Sequence, residues 1–348
     1  MDKKRKIRVL VADDSNVFRE VLRRHLSNDP GIEVVAVAAN PYDARDKIIE
    51  FRPDVMTLDV EMPMMNGIDF LKKLMPQYPL PTVVISSVTD RVFDAMAAGA
   101  VDFVGKPIRN QNLEAFINEV VVKIKIASTA KIGYHKRAEK FNIQHDDFER
   151  AKRRIIAIGA STGGTKAIQT VLQSFPANMP GTVVVQHMPP VFTKLYADRL
   201  NNLCRVEVKE AEDGDLIIPG KVLIAPGGYH IRAVQKKGGF VIEMEKETTD
   251  NKVNGHCPSV DVMFESLARI AGKRTIGILL TGMGNDGAAG LLSLRKSGAR
   301  TVGQDEKSSV VYGMPKVAYD LGAVEWQESL DGIYGVVAGL LKEQKGRQ

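Results

Sequence analysis

From residue 7 the chain alternates short aliphatic runs with longer stretches whose apolar residues recur at helical spacing. The runs fall at 7–12, 32–38, 55–58, 82–85 and 101–104, and the amphipathic stretches at 17–26, 43–51, 68–75, 91–98 and 112–124. Unbroken hydrophobicity in the runs predicts strands buried on both faces, and so a parallel sheet covered by helices. The pattern lapses after 124 and resumes at 154, with runs at 155–158, 182–185, 221–225, 275–280 and a shorter one at 301–302. Helix-like stretches there lie at 165–174, 192–203, 260–271, 287–296 and 334–343, and a hairpin near 230–245 turns at Lys237-Gly238-Gly239. The predicted fold class is α/β: two doubly wound parallel-sheet domains, 1–124 and 154–348, joined by a linker over 125–153.

Composition narrows the classes. A chain of 348 residues fits two domains at roughly 100–200 residues each. Its 44% apolar and 26% charged residues exclude a disordered or fibrous protein. Two cysteines, Cys204 and Cys257, exclude a disulfide-stapled scaffold and stand too far apart for a local metal knuckle. Lys3-Lys4-Arg5-Lys6 leads into an apolar stretch broken by Arg8 and stopped at Asp13-Asp14, which is not the pattern of a signal peptide. With no apolar run of about 18 residues, the expectation is a cytoplasmic protein that is not membrane-inserted.

The net charge of +6 changes little once it is located. Residues 1–122 carry 16 basic and 18 acidic side chains, 123–154 carry 10 and 4, and the remainder 22 and 20. The excess therefore sits in the connecting segment, where a solvated linker explains it better than a basic face on a folded module. No nucleic-acid partner is expected.

Chemistry in parallel sheets gathers beyond the carboxyl ends of the strands. In the first half those ends carry Asp13-Asp14, Asp59, Ser86 and Lys106. Any one of them is commonplace as a turn former or helix cap; their conjunction is not. Three gathered carboxylates repel one another unless a hard divalent cation neutralises them, and oxygen ligands on an open site suit magnesium. Asp59, on the central strand, can attack a phosphoryl group while Lys106 screens the developing charge, and Ser86 can hydrogen-bond the product.

Val-Ala-Asp-Asp-Ser (11–15), Leu-Asp-Val-Glu-Met-Pro (58–63), Ile-Ser-Ser (85–87) and Gly-Lys-Pro (105–107) together resemble response-regulator receiver domains, over residues 7 to about 124. The resemblance implies a flavodoxin-like fold with Asp59 phosphorylated. It implies magnesium held by Asp14, Asp59 and the backbone carbonyl of Glu61, with Asp13 assisting. It also implies a switching hydroxyl at Ser86, Lys106 as its partner in the switch, and a cis Lys106–Pro107 bond.

The second half runs from its first strand into Gly-Ala-Ser-Thr-Gly-Gly (159–164), a Gly-x-Ser-x-Gly pattern whose small residues permit a sharp strand-to-helix turn exposing Ser161. The start of the helix behind it offers N–H groups, that of Thr162 included, to an oxyanion. A serine hydroxyl needs a base, and the next strand ends in Gln186-His187. Of the other histidines, His25, His135 and His145 fall in the first half or linker and His230 on the hairpin. His256, on a loop, remains a pocket candidate. The strand at 275–280 leads into Thr-Gly-Met-Gly-Asn-Asp-Gly (281–287), which supplies Asp286 to orient an imidazole and the Met283 N–H to complete an oxyanion hole. The order serine, histidine, acid is not that of an α/β-hydrolase. A rival reading takes Gly282 to Gly287 as a dinucleotide fingerprint with Asp305 ending the next strand; it leaves Ser161 and His187 without a role.

Ala-Ile-Gly-Ala-Ser-Thr-Gly-Gly (157–164), Gln-His-Met (186–188), Pro-Ser-Val-Asp-Val-Met-Phe (258–264) and Leu-Thr-Gly-Met-Gly-Asn-Asp-Gly (280–287) resemble the catalytic domain of the CheB family of chemotaxis protein-glutamate methylesterases. The resemblance implies a Rossmann-like esterase domain with Ser161 as nucleophile, His187 as base and Asp286 as orienting acid, needing no cofactor for the ester chemistry. It implies hydrolysis of glutamate methyl esters and deamidation of glutamines on methyl-accepting chemoreceptors. It also implies a chemotaxis histidine kinase (CheA) as phosphodonor to Asp59. Less favoured outputs for a receiver are a nucleic-acid-binding module and an NAD(P)-linked oxidoreductase.

Overall fold

The computed structural model describes residues 5–87, 91–107, 112–132 and 154–342, and the chain divides into two units, Met1–Gly133 and Tyr134–Gln348. In the first, strands β1 (Ile7–Ala12), β2 (Ile32–Ala38), β3 (Val55–Asp59), β4 (Thr82–Ser86) and β5 (Asp102–Gly105) alternate with helices α1 (Asn16–Leu26), α2 (Pro41–Phe51), α3 (Gly67–Leu74), α4 (Val92–Ala97) and α5 (Leu113–Ala127). All five strands are parallel, in the order β2-β1-β3-β4-β5. Every residue of β3 and β4 is buried, the condition that unbroken apolar runs satisfy. Helices start where a short polar side chain accepts from exposed N–H groups: Ser15 for α1, Asn40 for α2, Asn66 for α3 and Asn112 for α5. Helix α4 has no such cap and spans only six residues. Helix α5 continues to Ala127, into the segment expected to be linker; the rest of that segment from 133 lies outside the described residues.

The second unit follows the same logic over a wider sheet. Its strands are β6 (Ile155–Ala160), β7 (Gly181–Gln186), β8 (Glu207–Glu210), β9 (Lys221–Ile224), β10 (Tyr229–Lys236), β11 (Gly239–Lys246), β12 (Thr275–Leu279), β13 (Arg300–Gln304) and β14 (Trp326–Glu328). Its helices are α6 (Gly164–Gln173), α7 (Phe192–Leu203), α8 (Val260–Ile270), α9 (Ala288–Lys296), α10 (Met314–Asp320) and α11 (Ile333–Lys342). Seven strands pair in parallel in the order β14-β13-β12-β6-β7-β9-β8, while β10 and β11 form the expected antiparallel hairpin. The order reverses at β6, so the loops after β6, β7 and β12 surround one crevice.

Three elements escaped the hydrophobic pattern. Strand β8 reads Glu-Val-Lys-Glu at a sheet edge, and β14 is three residues at the other edge. Such strands bury too little to need an apolar run. Helix α10 is seven residues long and begins at Met314-Pro315, too short to display a period.

Close packing ties the sheet to α8. A Cβ on Gly159, in β6, would lie 2.2 Å from Val260 Cγ1 at the start of that helix. Gly159→Ala should destabilise the catalytic unit by about 1–3 kcal/mol in urea denaturation, the usual cost of overpacking. Adding Val260→Ala should restore part of the loss; equal stability of G159A and wild type would show that α8 can retreat freely.

Candidate active site and phosphoacceptor site

In the first unit the order of strands reverses between β1 and β3, and the residues that end them meet there. Carboxylate oxygens of Asp13, Asp14 and Asp59 all lie within 4.8 Å of one another, with Asp13 and Asp59 buried and Asp14 exposed. Lys106, following β5, places Nζ 2.7 Å from Asp13 Oδ2 and 2.5 Å from Asp59 Oδ2. Main-chain N–H groups of Ser15 and Glu61 donate to Asp13 Oδ1 and Asp59 Oδ1. Burial, and then the Asp13 charge, push the Asp59 pKa up to about 6 against the pull of Lys106. One ammonium does not balance three carboxylates, and this all-oxygen donor set with one exposed member suits a small hard cation. Ser86 is buried at the end of β4, and its carbonyl accepts from the Lys106 N–H. The cis bond expected at Lys106–Pro107 is not found; among the described residues the cis peptide is Cys257–Pro258. A trans bond is favoured at X–Pro by about 0.5–1 kcal/mol, and with it Lys106 still reaches both carboxylates.

In the second unit Ser161 opens a turn that Gly163 makes possible, at φ +77° and against Val310. The Ser161 N–H donates to Thr281 O, and the Thr281 hydroxyl donates to Thr162 O, which binds this turn to the segment leaving β12. Gly282 in that segment lies so close that a Cβ there would sit 2.7 Å from Ser161 Cβ, so Met283 follows directly beside the serine. His187 begins the loop after β7, and its Nε2 is 2.8 Å from Asp286 Oδ2. That contact assigns the neutral ring as the Nε2–H tautomer and leaves Nδ1 with its lone pair. Nδ1 is buried and without a partner among the described residues, Ser161 Oγ included. Nucleophile–base hydrogen bonds are commonly long before substrate binds.

Asp286 is 1% exposed and accepts five hydrogen bonds. Besides His187 it accepts from Ser259 Oγ at 2.7 Å, Asn254 Nδ2 at 3.1 Å, and the N–H groups of Val260 at 2.7 Å and Asp261 at 3.2 Å. The last two belong to the N-terminus of α8, whose dipole favours an anion. Burial alone would raise its pKa, but the hydrogen bond and charge of His187, with Ser259 and Asn254, hold it well below the usual carboxylate range. Asp261 beside it shares the Asn254 amide, and burial together with the Asp286 charge pushes it up to about 6.

The structure thus gathers Ser161, Thr162, His187, Met283 and Asp286 at one crevice. His256, the competing histidine, comes there too: its ring stacks on that of His187 at 3.7 Å and 14°. His230 does not, being buried with Nε2 on Asn251 O and Nδ1 accepting from Ser259 N–H. Sequence reasoning missed Ser259, Asn254 and Asp261. A serine directly before an apolar helical stretch is a capping signal that points to Ser259; Asn254, on an irregular loop, gave no signal. The dinucleotide reading finds no support, since Gly282 and Gly287 are packed against Ser161 and Val260 and Asp286 is fully engaged.

Comparisons with known proteins cover both units. The family description "CheB methylesterase" matches residues 156–337, and "Response regulator receiver domain" matches 9–118. A protein-glutamate methylesterase/protein-glutamine glutaminase 2 of Syntrophomonas wolfei is 57% identical over 94% of this chain and 96% of its own. The corresponding protein of Syntrophotalea carbinolica is 50% identical over 98% and 99%. The Thermotoga maritima CheB methylesterase catalytic domain superposes with a TM-score of 0.52 at 37% identity, covering 54% of this chain and 98% of that one. By these matches, and with a receiver ahead of the catalytic unit, the chain belongs to the CheB methylesterase family.

Proposed function

We propose that this protein is a phosphorylation-activated serine hydrolase that removes methyl groups from glutamate methyl esters of chemoreceptors and deamidates receptor glutamines. The observation that carries the reading is the buried His187–Asp286 pair beside the turn that bears Ser161. His187 Nδ1 takes the proton as Ser161 Oγ attacks the ester carbonyl. The tetrahedral oxyanion is held by the Thr162 and Met283 N–H groups, each such donor being worth roughly 100–1,000-fold in rate. The imidazolium, steadied by ionised Asp286, returns its proton to the departing methoxide, and methanol leaves a glutamyl ester on Ser161. Water, deprotonated by His187, then releases glutamate. With a glutamine the same steps expel ammonia, because amide and ester differ only in the group that takes the proton. The ester chemistry draws on these side chains, the two main-chain donors and water.

The receiver supplies control. A chemotaxis histidine kinase donates a phosphoryl group to Asp59, with Asp13, Asp14, Asp59 and the Glu61 carbonyl as the residues that would hold magnesium. When bound, the cation supplies charge neutralisation at the phosphoryl oxygens. Lys106 offsets part of the charge of Asp13 and Asp59, and Ser86 and Lys106 respond to the new charge. Residues 1–124 would form the receiver, 125–153 the hinge and 154–348 the esterase, with the receiver restraining the esterase until Asp59 is modified. Among the described residues no helix is long and apolar enough to cross a membrane.

Methanol release from methylated receptor membranes should rise when a small acyl phosphate is added. Ser161→Ala should lower it roughly a thousandfold or more with the fold retained, and Asp59→Asn should keep basal release while losing the stimulation. Release indifferent to the acyl phosphate would refute the regulatory reading. A second expectation comes from the acid pair. Ionised Asp59 costs the native receiver stability above about pH 4, and the cost is complete once the pH passes about 6. Asp59→Asn should therefore stabilise the receiver in metal-free buffer at pH 7 by on the order of 1–3 kcal/mol, with Lys106 still held by Asp13. The gain should fade as the pH falls through 6 towards 4; urea denaturation at both pH values reads it.

A further inference from the structure

We infer that Gln186 is a positioning residue of the esterase: its side-chain amide ties the main chain of the nucleophile to that of the base. The inference rests on the roles proposed above for Ser161 and His187. Gln186 is the last residue of β7, in register with Ala160 of β6, and is 3% exposed. Its Nε2 lies 2.9 Å from Ser161 O and 3.1 Å from His187 O. Two carbonyl oxygens around one terminal atom identify that atom as nitrogen, since an oxygen there would face two acceptors. Both amide hydrogens are thus committed, one to each residue.

The other end of the amide sharpens the point. Oε1 is buried with no partner among the described residues, and a Cβ on Gly164 would come within 2.1 Å of it. It is lodged against the first turn of α6, where the positive end of the helix faces it. A buried amide with one unpaired oxygen is a poor choice for stability alone, because an apolar side chain would leave nothing unsatisfied. What the amide adds is the bridge. The Ser161 N–H is anchored on Thr281 O, the side from which Asp286 comes. Its carbonyl is anchored by Gly164 N–H and by Gln186, and Gln186 alone of these reaches the His187 residue. Main-chain pairing also joins the two, the His187 N–H donating to Ala160 O at 3.2 Å, but it ends at the residue before the serine; without the bridge the Ser161 carbonyl keeps its hold on the first turn of α6 and loses its side-chain tie to the main chain of the base.

The test uses the full-length protein with methylated receptor membranes, and Ser161→Ala in parallel. Gln186→Met keeps the volume and removes both donors. It should lower kcat roughly 10- to 100-fold, the effect of misplacing reacting groups by about an ångström. KM should stay within about twofold, because the substrate surface is untouched. The rate at which a small fluorophosphonate inactivates Ser161 should fall in step with kcat. Gln186→Glu keeps the shape and donates only while protonated, so its kcat should carry one further ionisation, losing activity as the pH rises. An unchanged kcat in Q186M, a loss confined to KM, or a Q186E pH profile parallel to wild type overturns the inference; the Q186E profile decides it even if Q186M does not fold. Activity remaining in S161A would instead overturn the assignment of the nucleophile, whatever the Gln186 variants do.

Discussion

A buried carboxylate has to be paid for in hydrogen bonds, and Asp286 organises the catalytic unit by that requirement. Five donors reach it from three separate parts of the chain: the ring of His187 after β7, the Asn254 amide on the loop before α8, and the cap and first turn of α8 itself. None of these segments could shift without leaving a charge unsatisfied in a low-dielectric setting, a penalty of several kcal/mol. The acid therefore does more than orient an imidazole. It fixes where α8 starts, and α8 in turn packs through Val260 against Gly159, two residues before Ser161. Catalytic geometry and packing of the sheet are one constraint.

The receiver meets the opposite condition. Its carboxylates at the β1–β3 reversal are undersupplied with positive charge, and burial, with the Asp13 charge, pushes Asp59 up to about 6 while Asp286 is held far down. An undersupplied cluster is suited to gaining a cation and a phosphoryl group and to losing them again. A fully satisfied one is suited to staying put through many turnovers. The two units spend the same residue type at the same place in the same kind of sheet, and the donor count around each acid separates a switch from a scaffold.

Much of this was legible in the sequence because parallel strands leave long apolar runs and place chemistry at their carboxyl ends. The runs ending in Asp13-Asp14, Asp59 and Ser86 gave the receiver site, and those preceding Ser161, His187 and the loop to Asp286 gave the other crevice. Illegible parts had other causes. Edge strands such as Glu207–Glu210 bury too little to imprint a pattern. Contacts made by irregular loops, such as Asn254 on Asp286 or the ring of His256 on His187, depend on backbone paths that spacing does not encode. Gln186 was visible as a motif residue, yet its use of one nitrogen for two carbonyls follows only from the register of β7 on β6.

Asp261 completes the electrostatic argument. It sits one turn position beyond Val260, shares the Asn254 amide with Asp286, and otherwise accepts from Gly290 N–H at 2.6 Å. With two donors against five, burial wins at Asp261 and loses at Asp286, so the neighbouring acids are driven apart in acidity rather than together. This is the arrangement a base-orienting carboxylate requires. If both acids held their charge equally firmly, each would raise the other's affinity for a proton; if both were easily protonated, His187 would lose its counter-ion in the proton transfer proposed above. An uneven distribution of hydrogen bonds over two adjacent carboxylates keeps the negative charge on the one that faces the base.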